Sequence, residues 1–276
     1  MYTLIESIED LEVLNQELSS KLFVAVDTEF RRTSKNNMRL ALLQVNDEDE
    51  TFLIDALKIP DPEEHASFLF NSSVIKILHS CKEDLEAIYS WTNQEMVNIF
   101  DTQISEAFLG GDYSISYQGL VENRLGIILD KKETRSNWTR RPLSNSQLKY
   151  AALDVEYLIY LYKEQKKELK DSNKLEWLYQ DIDKLVSSTF DPQYNNLEVD
   201  KVLTRSEEDK LLKKLHEVIV EISFNTNINP TLFFSKKSQK EFLRLVFSEG
   251  LDKAFQKTTF WRETLLKKKL RKLLEN

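Results

Sequence analysis

Cysteine, histidine and long apolar runs are scarce in this sequence of 276 residues. The single cysteine, Cys81, excludes an internal disulfide framework and fits a reducing compartment, so we expect a cytoplasmic protein. No stretch approaches the roughly 20 apolar residues of a membrane span, and the N-terminus lacks the basic and apolar blocks of a signal peptide. We therefore expect a soluble protein without a membrane partner, large enough for one sizeable domain and a smaller one.

The charge is unevenly distributed along the chain. The net charge is −8 and the isoelectric point about 5.2, which argues against broad nucleic-acid affinity. Residues 201–276 nevertheless carry 17 Lys and Arg against 10 Asp and Glu, whereas residues 1–200 carry 21 against 36. An acidic body of net −15 followed by a basic tail of net +7 suggests that the two parts of the chain have different roles.

The periodicity of apolar residues predicts an α/β body and a helical tail. Strands are expected at 22–27, 39–45, 51–55, 74–78 and 98–100, and helices at 7–18, 61–70, 80–91, 103–109, 118–125 and 144–170. Two capping boxes, Ser80-Cys81-Lys82-Glu83 and Ser144-Asn145-Ser146-Gln147, would open two of these helices. The order βββαβαβα indicates a mixed sheet with helices on its faces.

The stretch 191–196 breaks all periodicity and is the predicted domain boundary. We expect one domain over residues 1–188 and a small all-α domain over residues 201–276. The tail helices are predicted at 205–224, 238–247 and 261–274.

The apolar run from Phe23 to Phe30 carries two carboxylates one residue apart. On a strand, Asp27 and Glu29 project to the same side with Cα atoms about 7 Å apart, while Thr28 points away. A buried carboxylate is costly unless it is paired, hydrogen-bonded or bound to metal. The alternative is that the strand ends at Val26 and the acids begin a solvated loop.

Two further acids lie on helix faces whose neighbouring residues are mostly apolar or aromatic. Asp84 falls on the apolar stripe of its helix, although an acid in a first turn also complements the helix dipole. Tyr150 and Asp154 are stacked four residues apart, opposite the main core stripe, and suggest a helix buried on both sides. A chance pair on a half-exposed face is the alternative.

Together these motifs would bring four carboxylates to one sheet edge. Four acids without a basic partner repel one another unless a divalent cation neutralises them. Oxygen ligands favour Mg²⁺ or Mn²⁺, and the sequence offers no His/Cys cluster for zinc. His79 ends a strand beside this site, where a hydrogen-bonding role and a plain structural role are equally open.

With these residues in hand, the chain resembles ribonuclease D, of the DEDDy type of 3′–5′ exonucleases. The matching motifs are Asp27-Thr28-Glu29-Phe30, His79-Ser80-Cys81-Lys82-Glu83-Asp84-Leu85 and Tyr150-Ala151-Ala152-Leu153-Asp154, supported by Phe100-Asp101-Thr102, by 133–138 and by Arg141-Pro142-Leu143. The likeness covers about residues 1–180. The basic tail looks, more weakly, like a single HRDC domain.

The resemblance implies an RNase H-like fold and a specific site. It implies two metal ions, Mg²⁺ or Mn²⁺, held by carboxylates, with Glu29 and Tyr150 at the attacking water; the ligands are Asp27, Glu29, Asp84 and Asp154. We expect Thr28, Phe30 and His79 to contact the substrate, although an aromatic residue at a strand end is more often core.

The expected activity is trimming of the 3′ ends of structured RNA, such as tRNA precursors, with release of nucleoside 5′-monophosphates. The motifs leave two alternatives open. In one, the enzyme trims DNA 3′ ends; in the other, the fold is an RNA-binding module that no longer cuts.

Overall fold

The computed structural model describes residues 2–34, 37–129, 133, 136–191 and 203–274. Contacts between residues divide the chain into two compact units, one of Met1–Gln103 and Ile115–Gln165 and the other of Ile104–Ser114 and Lys166–Asn276. This division falls before the predicted boundary, which apart from Asp191 lies outside the described residues. The assignment of separate roles to residues 1–188 and 201–276 therefore stays a prediction.

The first unit is built on a six-stranded mixed sheet. Its strands are β1 (Tyr2–Ile5), β2 (Phe23–Ser34), β3 (Asn37–Asn46), β4 (Thr51–Ile54), β5 (Ile75–Leu78) and β6 (Ile99–Asp101), in the spatial order β1-β4-β3-β2-β5-β6. The β2–β3 and β3–β4 pairs are antiparallel, and the other neighbours are parallel. The predicted hairpin and the mixed sheet are confirmed.

Strand β1 was not predicted. It pairs with β4 in parallel register and forms one edge of the sheet. Of its four residues only Ile5 is buried, while Leu4 is largely exposed. So short a strand with one buried side chain carries almost no alternation in its sequence.

Helices cover both faces of this sheet. The unit contains α1 (Ile8–Leu18), a 3₁₀ helix (Glu63–Leu69), α2 (Lys82–Thr92), α4 (Tyr117–Leu125) and α5 (Asn145–Glu156), while α3 (Thr102–Phe108) and α6 (Leu158–Asp171) continue into the second unit. The α-helix predicted at 61–70 is wrong, because the backbone at Ala66 is not helical. The amide of Phe68 instead donates to the side chain of Asn15 on α1, at 2.9 Å.

The single helix predicted at 144–170 is in fact two helices, broken at Tyr157. The hydroxyl of Tyr117 accepts from the backbone N–H of Tyr157 and donates to the carbonyl of Leu153, each at 3.1 Å. It thus takes the place of the bond that would join residues 157 and 153 in a continuous helix. A side chain inserted into the helical ladder is a recognised cause of such breaks.

The second unit is helical in the described residues. Beside the parts of α3 and α6 it contains α7 (Leu175–Phe190), α8 (Arg205–Thr226), α9 (Pro230–Phe233), α10 (Lys236–Glu249), α11 (Leu251–Gln256) and α12 (Phe260–Leu274). The fully buried Trp261 stands at its centre, with its ring against those of Phe108, Trp177 and Phe233. None of the described helices combines the length and apolar character needed to cross a membrane.

Candidate active site

The acid pair lies in the middle of a strand. Strand β2 runs on to Ser34, so the alternative in which it ends at Val26 is wrong. Its pairing with β5 stops at Ala25, whereas its pairing with β3 continues past Glu29. Asp27 and Glu29 therefore stand where β2 is free of a strand on one side, and both are half-buried. A register shift after Glu29 marks a bulge, a device that often re-aims side chains beside active sites.

Helix α2 brings Asp84 to the same region. Asp84 is buried, as its helical face predicted, and accepts a hydrogen bond of 2.5 Å from the Thr28 hydroxyl. Thr28 points away from the acid pair, as alternation requires, and it ties the second motif to the first.

The start of α2 is held by Asp101, which the sequence analysis gave only as part of a supporting motif. The predicted capping box at Ser80 is wrong, because Ser80 adopts a left-handed backbone and α2 begins without a side-chain cap. The carboxylate of Asp101 instead accepts from the backbone N–H groups of Ser80 and Cys81, at 3.2 and 2.8 Å. The only sequence signal for this role is an acid at the junction of a strand and a helix. Asp101 thereby fixes the turn from which Asp84 projects.

Helix α5 supplies the third motif. The capping box of Ser144 and Gln147 is confirmed. Tyr150 is buried and packs with Trp138 and Ala151 in one apolar cluster, so the helix is indeed buried on more than one side. The side chain of Tyr150 faces the carboxylate of Asp154, one turn later, and lowers its pKa.

The four carboxylates perturb one another. Burial is the main cause in each case: it raises the pKa of Asp27 and Asp84 well above the ordinary value, that of Glu29 to about 10 and that of Asp154 to about 7. Repulsion adds to burial, with Asp154 acting on Asp27 and three acids acting on Glu29. Thr28 lowers the pKa of Asp84 by its hydrogen bond, and Tyr150 lowers that of Asp154. The strand and helix faces read from the sequence thus place the four acids together.

This donor set fits divalent cations by its chemistry. Carboxylates whose pKa is raised by burial are stabilised in their charged form by a hard positive charge, and oxygen ligands suit Mg²⁺ or Mn²⁺. Among the described residues no three acidic, histidine or cysteine side chains converge closely enough to hold an ion.

The raised pKa of Glu29 gives a pH-dependent stability that can be measured. The folded protein keeps a proton on Glu29 that the unfolded chain releases, so this group's contribution to stability falls as pH rises from its ordinary pKa of 4.5 toward about 10. Glutamine cannot titrate. In EDTA we expect Glu29→Gln to gain melting temperature over the wild type, by an amount that grows from about pH 5 to about pH 9. Scanning fluorimetry at each pH checks this, and an advantage that is constant or shrinks with pH would contradict it.

The predicted substrate contacts have other partners in the structure. The Nδ1 atom of His79 lies 2.9 Å from the hydroxyl of Thr102 and its Nε2 lies 3.0 Å from the carbonyl of Ile115, so the ring links two segments of the unit. The Thr28 hydroxyl is engaged by Asp84. Phe30 is half-buried, just after the bulge. Direct contact of these three residues with a substrate stays a prediction.

Arg141 fastens the loop before α5 to the sheet. It lies in a basic stretch of the sequence before α5, of which Lys131, Lys132 and Arg135 fall outside the described residues. All five of its N–H donors are used: two bind the carboxylate of Asp55 at 2.6 and 2.7 Å, and three bind the carbonyls of Ala41, Trp138 and Arg140. The ring of Trp138 in turn lies 6.1 Å from that of Tyr150, centre to centre. Arg141 therefore helps to position Trp138, against which Tyr150 packs.

We expect Arg141→Met to lower the free energy of unfolding by about 3–5 kcal/mol, because it leaves the carboxylate of Asp55 buried without its partner. Urea unfolding of the full chain measures the change. The matched control is Lys58→Met, whose pair with Glu6 is about half exposed on both sides and should contribute about 0–1 kcal/mol. Equal effects of the two substitutions would show that the Arg141 contacts do not stabilise the fold.

Comparison with known proteins identifies relatives of this chain. A family model described as 3′–5′ exonuclease matches residues 2–170. The chain is 38% identical over 175 residues to the ribonuclease D of Shewanella sp. strain ANA-3, a match that covers 63% of this chain and 45% of that protein. The chain spans about half the length of the curated relatives it matches.

Two solved structures share the fold. The crystal structure of Escherichia coli RNase D, an exoribonuclease involved in structured RNA processing, superimposes with a TM-score of 0.64 at 22% identity, covering 100% of this chain and 74% of that one. Brucella melitensis NrnC with bound Mg²⁺ gives 0.58 at 19% identity, covering 69% and 94%. The family model spans more than half of this sequence and includes all three acidic motifs, and the resemblance to ribonuclease D is confirmed. The chain therefore belongs to the 3′–5′ exonuclease family.

Proposed function

We propose that this chain is a metal-dependent 3′–5′ exoribonuclease that removes nucleoside 5′-monophosphates from the 3′ ends of structured RNA, such as tRNA precursors, in the cytoplasm. The observation that carries the proposal is that four carboxylates from three sequence motifs lie near enough for their repulsion to raise the pKa of Asp27, Glu29 and Asp84. The names of the relatives, which are ribonucleases D, support the choice of RNA.

The roles of the residues follow from their positions. Asp27, Glu29, Asp84 and Asp154 would hold two divalent cations, Mg²⁺ or Mn²⁺. Cations at such a site supply an acidified water nucleophile and neutralise the developing charge on the leaving 3′ oxygen. A phenol has a reference pKa of about 10 and is a poor base at neutral pH, so the hydroxyl of Tyr150 would orient the attacking water. The protein contributes position and charge, and the hydrolysed bond yields a 5′-phosphate and a shortened 3′-hydroxyl end.

The substrate preference can be tested with one assay. Matched RNA and DNA oligonucleotides, labelled at the 5′ end, are incubated with the full chain in Mg²⁺, in Mn²⁺ and in EDTA. We expect a ladder that shortens from the 3′ end of RNA in either metal and no cleavage in EDTA. Preferential cleavage of DNA would favour a DNA exonuclease, and binding without cleavage in any metal would favour an inactive RNA-binding module. Either result would refute the proposal.

For the basic tail we propose RNA binding, as a single HRDC-like domain would provide. Eight lysines of the tail suggest this role, namely Lys213, Lys214, Lys236, Lys237, Lys240, Lys267, Lys268 and Lys269. Four of them are paired with acids, namely Lys237, Lys240, Lys267 and Lys269. Lys213, Lys236 and Lys268 are exposed, and Phe260, which is 70% exposed, lines a basic groove of about 540 Å³ on α12. An exposed aromatic ring beside cationic side chains suits a stacked base and its phosphates.

RNA binding by the tail is best tested in the full chain. A truncated chain ending near residue 188 would keep α7 but strip it of Trp261, whose indole donates to Asp181 at 2.8 Å. We therefore choose the triple variant of Lys213, Lys236 and Lys268 to Gln. Since each phosphate contact contributes about −0.7 to −0.9 to the slope of log K against log salt, we expect weaker RNA binding and a shallower slope. The control replaces three lysines of the acidic body by Gln, namely Lys58, Lys166 and Lys167; equal effects of the two triples would refute the proposal.

A further inference from the structure

Gln44 is a fully buried polar residue whose side chain has nothing to bind. It lies in the middle of the apolar strand β3, with none of its surface exposed to solvent. Within the part of the chain that the structure describes, neither its amide oxygen nor its amide nitrogen has a hydrogen-bond partner. A buried polar group in this condition costs free energy, and an apolar side chain of the same size would avoid that cost. We therefore expect Gln44 to have a hydrogen-bond partner in the active, cation-loaded state of the protein.

The register of the sheet places Gln44 beside the acidic site. Its direct partner on β2 is Asp27, and its partner on β4 is Leu53. Residues opposite each other in an antiparallel pair project to the same face, with Cβ atoms about 4.5–5.5 Å apart. Leu42, two residues earlier and opposite Glu29, packs on this face with Tyr150 of α5. Gln44 thus lies between the acid pair and the helix that carries the third motif.

We infer that Gln44 is a positioning residue for Asp27, and that its amide N–H donates to the Asp27 carboxylate in the cation-loaded site. The inference rests on the proposed function. It accounts for the missing partner, because Asp27 is directly opposite Gln44 in the sheet and its carboxylate is an acceptor within reach of the amide.

An amide is the appropriate group for this position. It offers two N–H donors without a positive charge, so it can orient a carboxylate without competing with a cation for it. A lysine or arginine there would pair with Asp27 and repel the metal. Groups that hold a metal ligand from behind fix its orientation, and their loss typically lowers metal affinity or activity by about 10–100-fold.

The inference predicts opposite effects on stability and on metal binding. Gln44→Met has similar volume and no buried hydrogen-bonding atoms. In EDTA its melting temperature should equal or exceed that of the wild type, since two unpartnered polar atoms are removed. Its affinity for Mn²⁺ should fall by about 10-fold or more, and kcat on RNA should fall with little change in KM.

The matched control is Gln239→Met in the second unit. Gln239 is also buried, but its amide nitrogen donates to the carbonyl of Phe234 at 3.2 Å. That variant should lose melting temperature and keep the wild-type affinity for Mn²⁺. The two variants therefore distinguish a glutamine that stabilises the fold, Gln239, from one that positions a metal ligand, Gln44.

Mn²⁺ binding is titrated by electron paramagnetic resonance on the three full-length proteins, with melting in EDTA and steady-state kinetics alongside. Wild-type affinity in Gln44→Met, or a lower melting temperature in Gln44→Met and in a parallel Gln44→Leu variant, would overturn the inference. A wild type that neither binds Mn²⁺ nor cuts RNA would instead refute the proposed function, so the two failures are distinguishable.

Discussion

Asp27→Asn, Asp84→Asn and Asp154→Asn should each reduce the rate of RNA hydrolysis by about 10³-fold or more, because each removes a cation ligand and several kcal/mol of charge stabilisation in the transition state. The fold should survive. Burial raises the pKa of all three acids, and repulsion by neighbouring acids adds to it at Asp27 and Asp84, so a neutral amide relieves strain in the metal-free protein. We expect melting temperatures in EDTA at or above that of the wild type.

These variants are compared with a matched surface substitution. Asp61→Asn removes the same charge from an exposed position and should leave the rate unchanged. Initial rates with a 5′-labelled RNA and melting curves are measured on the same preparations. Activity within a few-fold of wild type in any of the three site variants would contradict its assignment as a ligand.

Tyr150→Phe should lower the hydrolysis rate by about 10²-fold or more, within the range for groups that position a transferred proton. The substitution keeps the ring that packs against Trp138 and removes only the hydroxyl that acts on Asp154. Packing and RNA affinity should therefore change little, and the loss should appear in kcat. Single-turnover rates and RNA binding in EDTA separate the two effects.

A tyrosine on the next helix provides the control for Tyr150. Tyr160, in α6, is 53% exposed, and Tyr160→Phe should leave both rate and affinity unchanged. An undiminished rate in Tyr150→Phe would show that the phenolic oxygen is dispensable. A large loss of RNA affinity would show that it contacts the substrate rather than the water.

The positions of the acids could be predicted because they follow from short-range periodicity. Alternation along β2 put Asp27 and Glu29 on one side, and the helical stripe put Asp84 inward, as found. Tyr150 and Asp154 were placed together by their spacing of four, and the Tyr150 side chain lowers the pKa of Asp154. Each of these deductions needs only the geometry of one element.

The supporting contacts could not be predicted because they join residues far apart in the sequence. Tyr117 interrupts a helix that begins 28 residues later, by placing its hydroxyl between Leu153 and Tyr157. The bonds of Arg141 to Asp55 span 86 residues. No local pattern reports which carbonyl or carboxylate a distant side chain will meet, and a lone polar residue such as Gln44 in an apolar strand is only a hint.

A crystal structure of the wild type in Mn²⁺, with anomalous diffraction, tests the central claim most directly. The account predicts two anomalous peaks about 3.5–4 Å apart, the spacing of two-metal phosphodiesterases, ligated by Asp27, Glu29, Asp84 and Asp154. An absence of peaks at these carboxylates under saturating Mn²⁺, or peaks ligated by other residues, would contradict it.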